Sequence, residues 1–429
     1  MLPSKLKFAN RVESSFARNF QSVINPQNTS NAGLGQTTII NLPTMQNQFT
    51  SGMDCLFNYT LNLRNSSGAD STRATLNKCG GHGAIQRIRV FHGSSLMDDL
   101  DDYGTIMSAL IPFQHDSDYL SGKGKLLSGT DLQRGVRLGV ANNGVIANNA
   151  EHSRTFSLSL MTILSLCNTY VPMYALTSAP IRLEIQWVNS IAKFVNSNVV
   201  LSQPTTATAL FSDIKFIMNV VELSDQGMAI VRGQSGEAVQ WSVQSFSNYQ
   251  HNVALTAGVD QVSMAIPAKF NSLKALYFTF RENSGGALER FADDSASFSL
   301  AEYSTRIGSN VIPSQKPQST VEFLSEAHRA LGSVGSRNEP HSYVASQYEA
   351  IVSNENGGQS GAFLVGVETE SYSSVDMSQT YQGLNTSTSD IFGQFTFAPA
   401  SGAKNIRIDC FASYDKLITI QNGVAIVQF

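Results

Sequence analysis

From Ile181 to Trp187 the chain reads IRLEIQW, with Ile181, Leu183, Ile185 and Trp187 alternating with Arg182, Glu184 and Gln186. A period of two sends one set of side chains into a core and the other outward, so this stretch buries its apolar half as a β-strand. The segment around it, Thr155 to Asn189, opens with the same alternation: Phe156, Leu158 and Leu160 are separated by Ser157 and Ser159. Similar short runs recur at Thr37 to Leu42, Cys55 to Leu63, Ala84 to Phe91, Phe211 to Leu223, Ala238 to Phe246 and Gln261 to Ile266. Polar turns such as Arg64 to Asp70 and the glycine-rich Cys79 to Gly83 divide them. Strands at this spacing point to an all-β sandwich architecture.

The chain has 429 residues and a mass of 46.4 kDa, beyond the size at which a single core stops growing. Two domains of roughly 200 residues follow. Charged residues are 14% of the chain, against about 25% in an ordinary soluble domain. Ser, Thr, Asn, Gln and 32 Gly carry the polar share. That balance suits surfaces that meet other protein more than water. A formal net charge of -4 gives no global reason to expect nucleic acid as a partner, so no sequence-specific nucleic-acid contact is expected. Cys55, Cys79, Cys167 and Cys410 lie far apart without metal-ligand spacing and read as buried free thiols made in a reducing compartment. No apolar run is long enough to span a bilayer, and the N-terminus lacks the pattern of a secretory signal. Sequons at Asn28, Asn58, Asn65 and Asn385 then carry little weight.

In chain order, residues 1–35 read as an arm. Phe8, Val12, Phe16 and Phe20 stand four apart, with Val23 and Ile24 continuing the row, as on one stripe of an amphipathic helix over Ser4 to Ile24. Lys5, Lys7, Arg11 and Arg18 against Glu13 make it basic, fit for an anionic membrane surface, a groove on a partner chain or its own domain. The first domain is expected at 36–224 and the second at 225–429, divided near Ser224 where Asp225 to Glu237 breaks the strand rhythm. Leu96 to Leu110 fits a short helix crossing between strands. Gly122 to Ala150, rich in Gly, Asn and Ser, is long enough to be a protruding loop. A helix is expected around Val321 to Leu331. Ser272 to Arg281 repeats the pattern of Ala84 to Phe91, and the chain closes on Asn405 to Phe429 with Asn422-Gly423 as a hairpin turn. A weak internal repeat of about 200 residues results, in order of elements more than in identity.

The chemistry-bearing motifs are few. Asp98, Asp99, Asp101 and Asp102 lack the alternation, turn glycine and closing glutamate of an EF-hand, and read as a solvated helix face or a subunit contact. Cys79 to Gly83 (CGGHG) lacks the Lys-Ser/Thr of a phosphate loop and reads as a tight turn. The seven histidines show no HExxH spacing, and no GxSxG elbow occurs. Aromatic and basic residues interleave in Lys269 to Arg281, which alternation along a strand explains. No catalytic, cofactor or metal residue is nominated, and an enzyme is not expected.

Three stretches carry a more specific likeness: IQRIRVFHGSSLMDDLDDYGTI, FSLSLMTIL followed by YVPMYALTSAPIRLEIQWV, and YQGLNTSTSDI followed by FASYDKLITIQNGVAIVQF. In order and length the chain resembles the major capsid proteins of double jelly-roll viruses, most closely those of polinton-like viruses and virophages, with adenoviruses, large algal DNA viruses and tectivirus-like phages as distant relatives. The resemblance implies two consecutive eight-stranded jelly rolls with short helices in connecting loops. It also implies a homotrimer forming a pseudo-hexagonal capsomer of an icosahedral double-stranded DNA virus. Neighbouring capsomers, penton and minor capsid proteins and an internal membrane would be its partners, and the virion its location after assembly in the host cytoplasm or nucleus. Gly122 to Ala150 and parts of Gly285 to Pro317 would then be tower or inter-subunit loops, and Ser4 to Ile24 would face the interior. No cofactor is implied. Tyr170, Pro172, Met173 and Tyr174 are poor residues for a freely solvated loop, and the connection Ile163 to Ala179 is expected against the sister jelly roll or a neighbouring subunit. The rival reading is a carbohydrate- or receptor-binding protein, a fibre or lectin of two β-sandwich modules.

Overall fold

The computed structural model describes residues 17–65, 72–131, 137–138, 145–146, 151–164, 166, 170–197, 207–235, 239–256, 258–283, 294–332, 341–352, 361–371, 382–398 and 404–429. The first half supplies eight principal strands: β1 (Ala17–Ile24), β2 (Thr37–Leu42), β3 (Leu56–Asn65), β4 (Ile85–His92), β5 (Ser95–Asp101), β6 (Glu151–Leu158), β7 (Ile181–Trp187) and β8 (Ala207–Leu223). They form two antiparallel sheets, β1-β8-β3-β6 and β2-β7-β4-β5. The second half supplies β9 (Val239–Leu255), β10 (Asp260–Ile266), β11 (Leu273–Glu282), β12 (Leu300–Ile307), β13 (Asn310–Ile312), β14 (Val365–Glu368), β15 (Ile391–Phe397) and β16 (Lys404–Gln421). Its sheets run β9-β16-β11-β14 and β10-β15-β12-β13. In both halves the first, eighth, third and sixth strands face the second, seventh, fourth and fifth, the winding of a jelly roll. Among the described residues no strand of one half pairs with a strand of the other. The fold is a double jelly roll.

Alternation builds both cores. Phe57, Tyr59, Leu61 and Leu63 of β3 point inward beside Phe156 of β6 and Phe211 of β8, facing Ile40, Ile88, Val90 and Ile185 of the other sheet. Trp187 closes this core, stacked on Phe211 at 4.0 Å and 10°, with its indole N–H donating to Thr38 Oγ1 at 2.8 Å. In the second core Phe280 meets Phe395 and Phe397 edge-on, each with centroids 5.4 Å apart. Burying each such ring contributes about 2–3 kcal/mol. Helix α1 (Tyr103–Gln114) follows β5, α2 (Asp225–Ser235) joins the two halves, and α3 (Thr320–Ala330) follows β13. Ser319 and Glu322 form a capping box that starts α3. The closing hairpin adds β17 (Val424–Gln428) to β16 through Asn422 and Gly423, both at positive φ.

Three expectations need correction. Residues 17–24 are not helical: β1 pairs with β8 from Ala17↔Leu223 to Ile24↔Phe216, so Arg18 and Phe20 sit on an edge strand. The open edge of β8 offers eight residues a ladder, which outweighs a helical period carried by so few phenylalanines. Leu96 to Leu110 is not one helix. It is β5 and then α1, broken at Asp102, which takes the left-handed conformation at φ 53. Ser272 to Arg281 does not correspond to Ala84 to Phe91: it forms β11, third in its jelly roll like β3, whereas β4 is fourth. The described part of Gly122 to Ala150 holds a helical turn at Lys123–Leu127 and two short strands, Arg137–Leu138 and Val145–Ile146, paired with Thr72–Leu76. Cys55, Cys79 and Cys410 are buried thiols, and Cys167 lies outside the described residues.

Candidate functional site

The two jelly rolls meet where β5 and α1 of the first lie against the sheet β9-β16-β11 of the second, and buried charges hold that junction. Asp98, 1% exposed, accepts from Lys416 Nζ at 2.6 Å and from the Ser245 hydroxyl at 2.6 Å, and its second oxygen accepts the Ile163 N–H at 3.3 Å. Burial alone would lower the pKa of Lys416, but the Asp98 carboxylate and Tyr414 outweigh it and the value is raised. The cluster read as a solvated helix face or a subunit contact therefore lies on a strand, with one member inside the junction. Alternation fails in β5 at this point: Met97 and Asp98 are both buried, where the register against β4 shifts between Val90 and Phe91.

A second cluster surrounds Asp102. Its carboxylate accepts from Gln86 Nε2 at 2.8 Å, from Gln250 Nε2 at 3.0 Å and from the Arg407 guanidinium, with Arg281 3.7 Å away. Behind them Asp409, fully buried, accepts from Arg281 Nε and Arg407 Nε, both at 2.8 Å. Burial pushes the Asp102 pKa up, yet the Coulombic pull of Arg281 and Arg407 with the hydrogen bonds from Gln86 and Arg407 holds it below the usual carboxylate range.

Further ties flank these clusters. Lys78 Nζ donates to Gly361 O at 2.6 Å. Phe113, near the end of α1, packs on Tyr343 with centroids 4.6 Å apart and edge-on to His328 and Tyr348, while the Ser342 N–H donates to Pro112 O at 2.9 Å. At the opposite rim the Ala425 N–H donates to His92 Nδ1 at 3.3 Å, and the Ser178 hydroxyl donates to Gly423 O at 2.7 Å. The CGGHG turn supports α1 from below. A Cβ on Gly81 would fall 2.9 Å from both Phe156 and the Tyr59 hydroxyl, and His82 Nδ1 lies 3.1 Å from the Tyr103 hydroxyl. Burial, then the charge of His115, lowers the His82 pKa to about 4. The ring is therefore neutral and shares a hydrogen bond with the Tyr103 hydroxyl, whose oxygen accepts the Met161 N–H. Among the described residues no group of three metal-ligating side chains converges.

The residues singled out for contacts are dispersed. Arg18 pairs with Glu222 at 2.6 Å and its guanidinium stands 5.4 Å over Phe20, which is 37% exposed. Lys5, Lys7, Phe8, Arg11, Val12 and Phe16 lie outside the described residues. Pro172 and Met173 are buried. Tyr174 packs 5.2 Å from Phe49 and 6.0 Å from the Arg232 guanidinium, while Tyr170 stays 56% exposed. The junction residues Ser245, Arg281, Arg407, Asp409 and Lys416 belong to no motif in the sequence. Their signal is charge set into an otherwise apolar or aromatic strand, as Arg281 and Glu282 in YFTFRE and Asp415 and Lys416 in FASYDKLITI.

No family model matches the chain, and no curated protein matches it in sequence. Among solved structures, 99% of the chain is similar to the whole of a chain in the quasi-atomic model of the PBCV-1 virus capsid, with TM-score 0.65 and 10% identity. All of it is similar to 92% of a chain of the Sputnik virophage, with TM-score 0.62 and 11% identity. All of it is likewise similar to 93% of the mavirus major capsid protein, with TM-score 0.60 and 11% identity. At these identities the likeness is one of fold: the chain has the double jelly-roll fold that the mavirus major capsid protein also has.

Proposed function

We propose that this chain is the major capsid protein of an icosahedral double-stranded DNA virus, and that it works by assembly and not by catalysis. Three copies form a pseudo-hexagonal capsomer, and capsomers tile a shell with penton and minor capsid proteins. The observation that carries this reading is that the likeness to capsid chains runs through both jelly rolls and their junction, over 99–100% of the chain. In this reading the jelly rolls occupy 17–224 and 225–429, since β1 belongs to the first, and residues 1–16 form an arm on the inner side, next to a minor capsid protein, a neighbouring capsomer or an internal membrane. The protein resides in the virion, assembled in the cytoplasm or nucleus of the host.

The junction itself favours further assembly. It sets an edge and helix of one jelly roll against a sheet face of the next, and a head-to-tail contact of this kind between copies closes into a ring where the rotation permits. β11 is buried on both faces, its outer one covered by α3 and by the first jelly roll. β3, its counterpart, is buried on the inner face alone. Its outer face joins Thr60 to Thr155 and Asn62 to Ser212 by hydroxyl and amide hydrogen bonds of 2.9 and 2.8 Å, and the charged residues Arg64, Glu151, Asp213 and Lys215 lie around these pairs and not between them. A sheet face so poor in charge suits burial against another copy. Expression of the chain followed by electron microscopy tests the proposal: closed shells, or incorporation into them, support it, whereas a monomer that binds glycans and never assembles refutes it.

A further inference from the structure

Between the jelly rolls lies a cavity of about 210 Å³, walled by Asn77, Gln86, Lys193, Asp102, Arg281 and Arg407. Three of these side chains are cations. Asp102 and the Asp409 behind it answer Arg281 and Arg407, whereas Lys193 Nζ meets only the neutral Gln86 Oε1, at 2.9 Å, among the described residues. One positive charge is thus left without a carboxylate. At one end Gly104 and Thr105 bring in the first turn of α1, a helix of 12 residues with no acidic residue in that turn and no side-chain cap. The N-cap is Asp102 itself, already engaged by Arg281 and Arg407, and behind it lies the positive pole of the helix.

Asn77 supplies an independent sign. It is 1% exposed and its Nδ2 donates to the backbone carbonyl of Lys193, but Oδ1 has no hydrogen-bond partner among the described residues. A buried acceptor left unmade costs about 1–3 kcal/mol, so native proteins fill such positions. Water could accept from Lys193 and donate to Asn77, but it would leave the Lys193 charge unanswered, which an anion that also carries a proton does not. We propose that the cavity binds hydrogen phosphate, an oxyanion that keeps a proton at neutral pH and presents acceptors and a donor together. Sulfate has the same shape and no proton to give, so it cannot satisfy Asn77 Oδ1. The bound ion would tie Lys193 and Asn77 of the first jelly roll to Arg281 and Arg407 of the second, whether or not the chain builds a shell.

Titration of the full chain with sodium phosphate, sodium sulfate and sodium chloride at equal ionic strength, read by calorimetry and by the midpoint of thermal unfolding, tests this. Phosphate is expected to bind saturably and raise the midpoint, with sulfate at least tenfold weaker. Lys193→Met abolishes the phosphate effect, and Asn77→Leu removes the preference over sulfate. Equal effects of phosphate and sulfate, no saturable binding, or phosphate binding unchanged in Lys193→Met would overturn the proposal. Should a variant fail to fold, the comparison of the two anions on the native chain still decides.

Discussion

Lys416 Nζ of the second jelly roll lies 2.6 Å from the Asp98 carboxylate of the first, both side chains almost wholly withdrawn from water. A buried pair of this kind contributes little over an apolar replacement, but losing one partner is costly because the other charge stays buried. Lys416→Met is expected to destabilise the chain by about 3–5 kcal/mol. Adding Asp98→Asn, whose amide oxygen still accepts from Ser245, recovers much of the loss. Denaturation of the single and double variants measures this, and equal stability of Lys416→Met and the native chain would show that the pair does not hold the junction.

His82 makes stability depend on pH. Its folded pKa of about 4 lies below the ordinary 6.5, so the fold holds the neutral ring. As pH falls below 6.5 the unfolded chain takes up a proton that the folded chain refuses until about 4. Stability is therefore lost across that window, by about 3 kcal/mol. Asp102 acts lower: its pKa is depressed, so its contribution is present above the unfolded carboxylate value and is lost as pH falls through the folded one. His82→Asn, which keeps an acceptor for Tyr103, is expected to flatten the slope between pH 6.5 and 4. An unchanged slope in a pH series of unfolding curves would assign it elsewhere.

Phe113 fills an aromatic pocket of the second jelly roll, ringed by Tyr343, His328 and Tyr348. Phe113→Ala is expected to cost about 3–5 kcal/mol. Faster amide exchange should follow in α1, with the core strands β12 and β15 unaffected. Exchange that rises in both cores alike would mean that the jelly rolls unfold as one unit.

Much of this fold was legible in the sequence because a half-buried strand writes its two faces into alternate residues, as Ile181 to Trp187 does for β7 and Asn422-Gly423 does for the last hairpin. β11 was harder. Buried on both faces, it shows no alternation, and its likeness to β4 was one of composition. β1 departs from its helical period because eight residues on an exposed edge carry little pattern of their own and take their conformation from β8. The junction escaped for a related reason: Asp98 and Lys416 lie 318 residues apart, and a buried ion pair is recognisable only once both strands are placed. The acidic cluster shows charge in the sequence, whereas its role depends on the register shift that buries Asp98 and on the left-handed turn at Asp102.

The outer face of β3 and β6 is the surface assigned to the next copy. Thr155, exposed at its centre, tolerates substitution within about 0.5 kcal/mol in an isolated chain. Thr155→Glu is therefore expected to leave the unfolding midpoint of the monomer unchanged while dissociating the oligomer. An oligomer that persists in this variant would place the contact on another face and leave the capsid reading standing.

Sedimentation equilibrium on the purified native chain tests the central claim most directly. A stable species of three times 46.4 kDa is the predicted result. A single species of 46.4 kDa across the whole concentration range would contradict it.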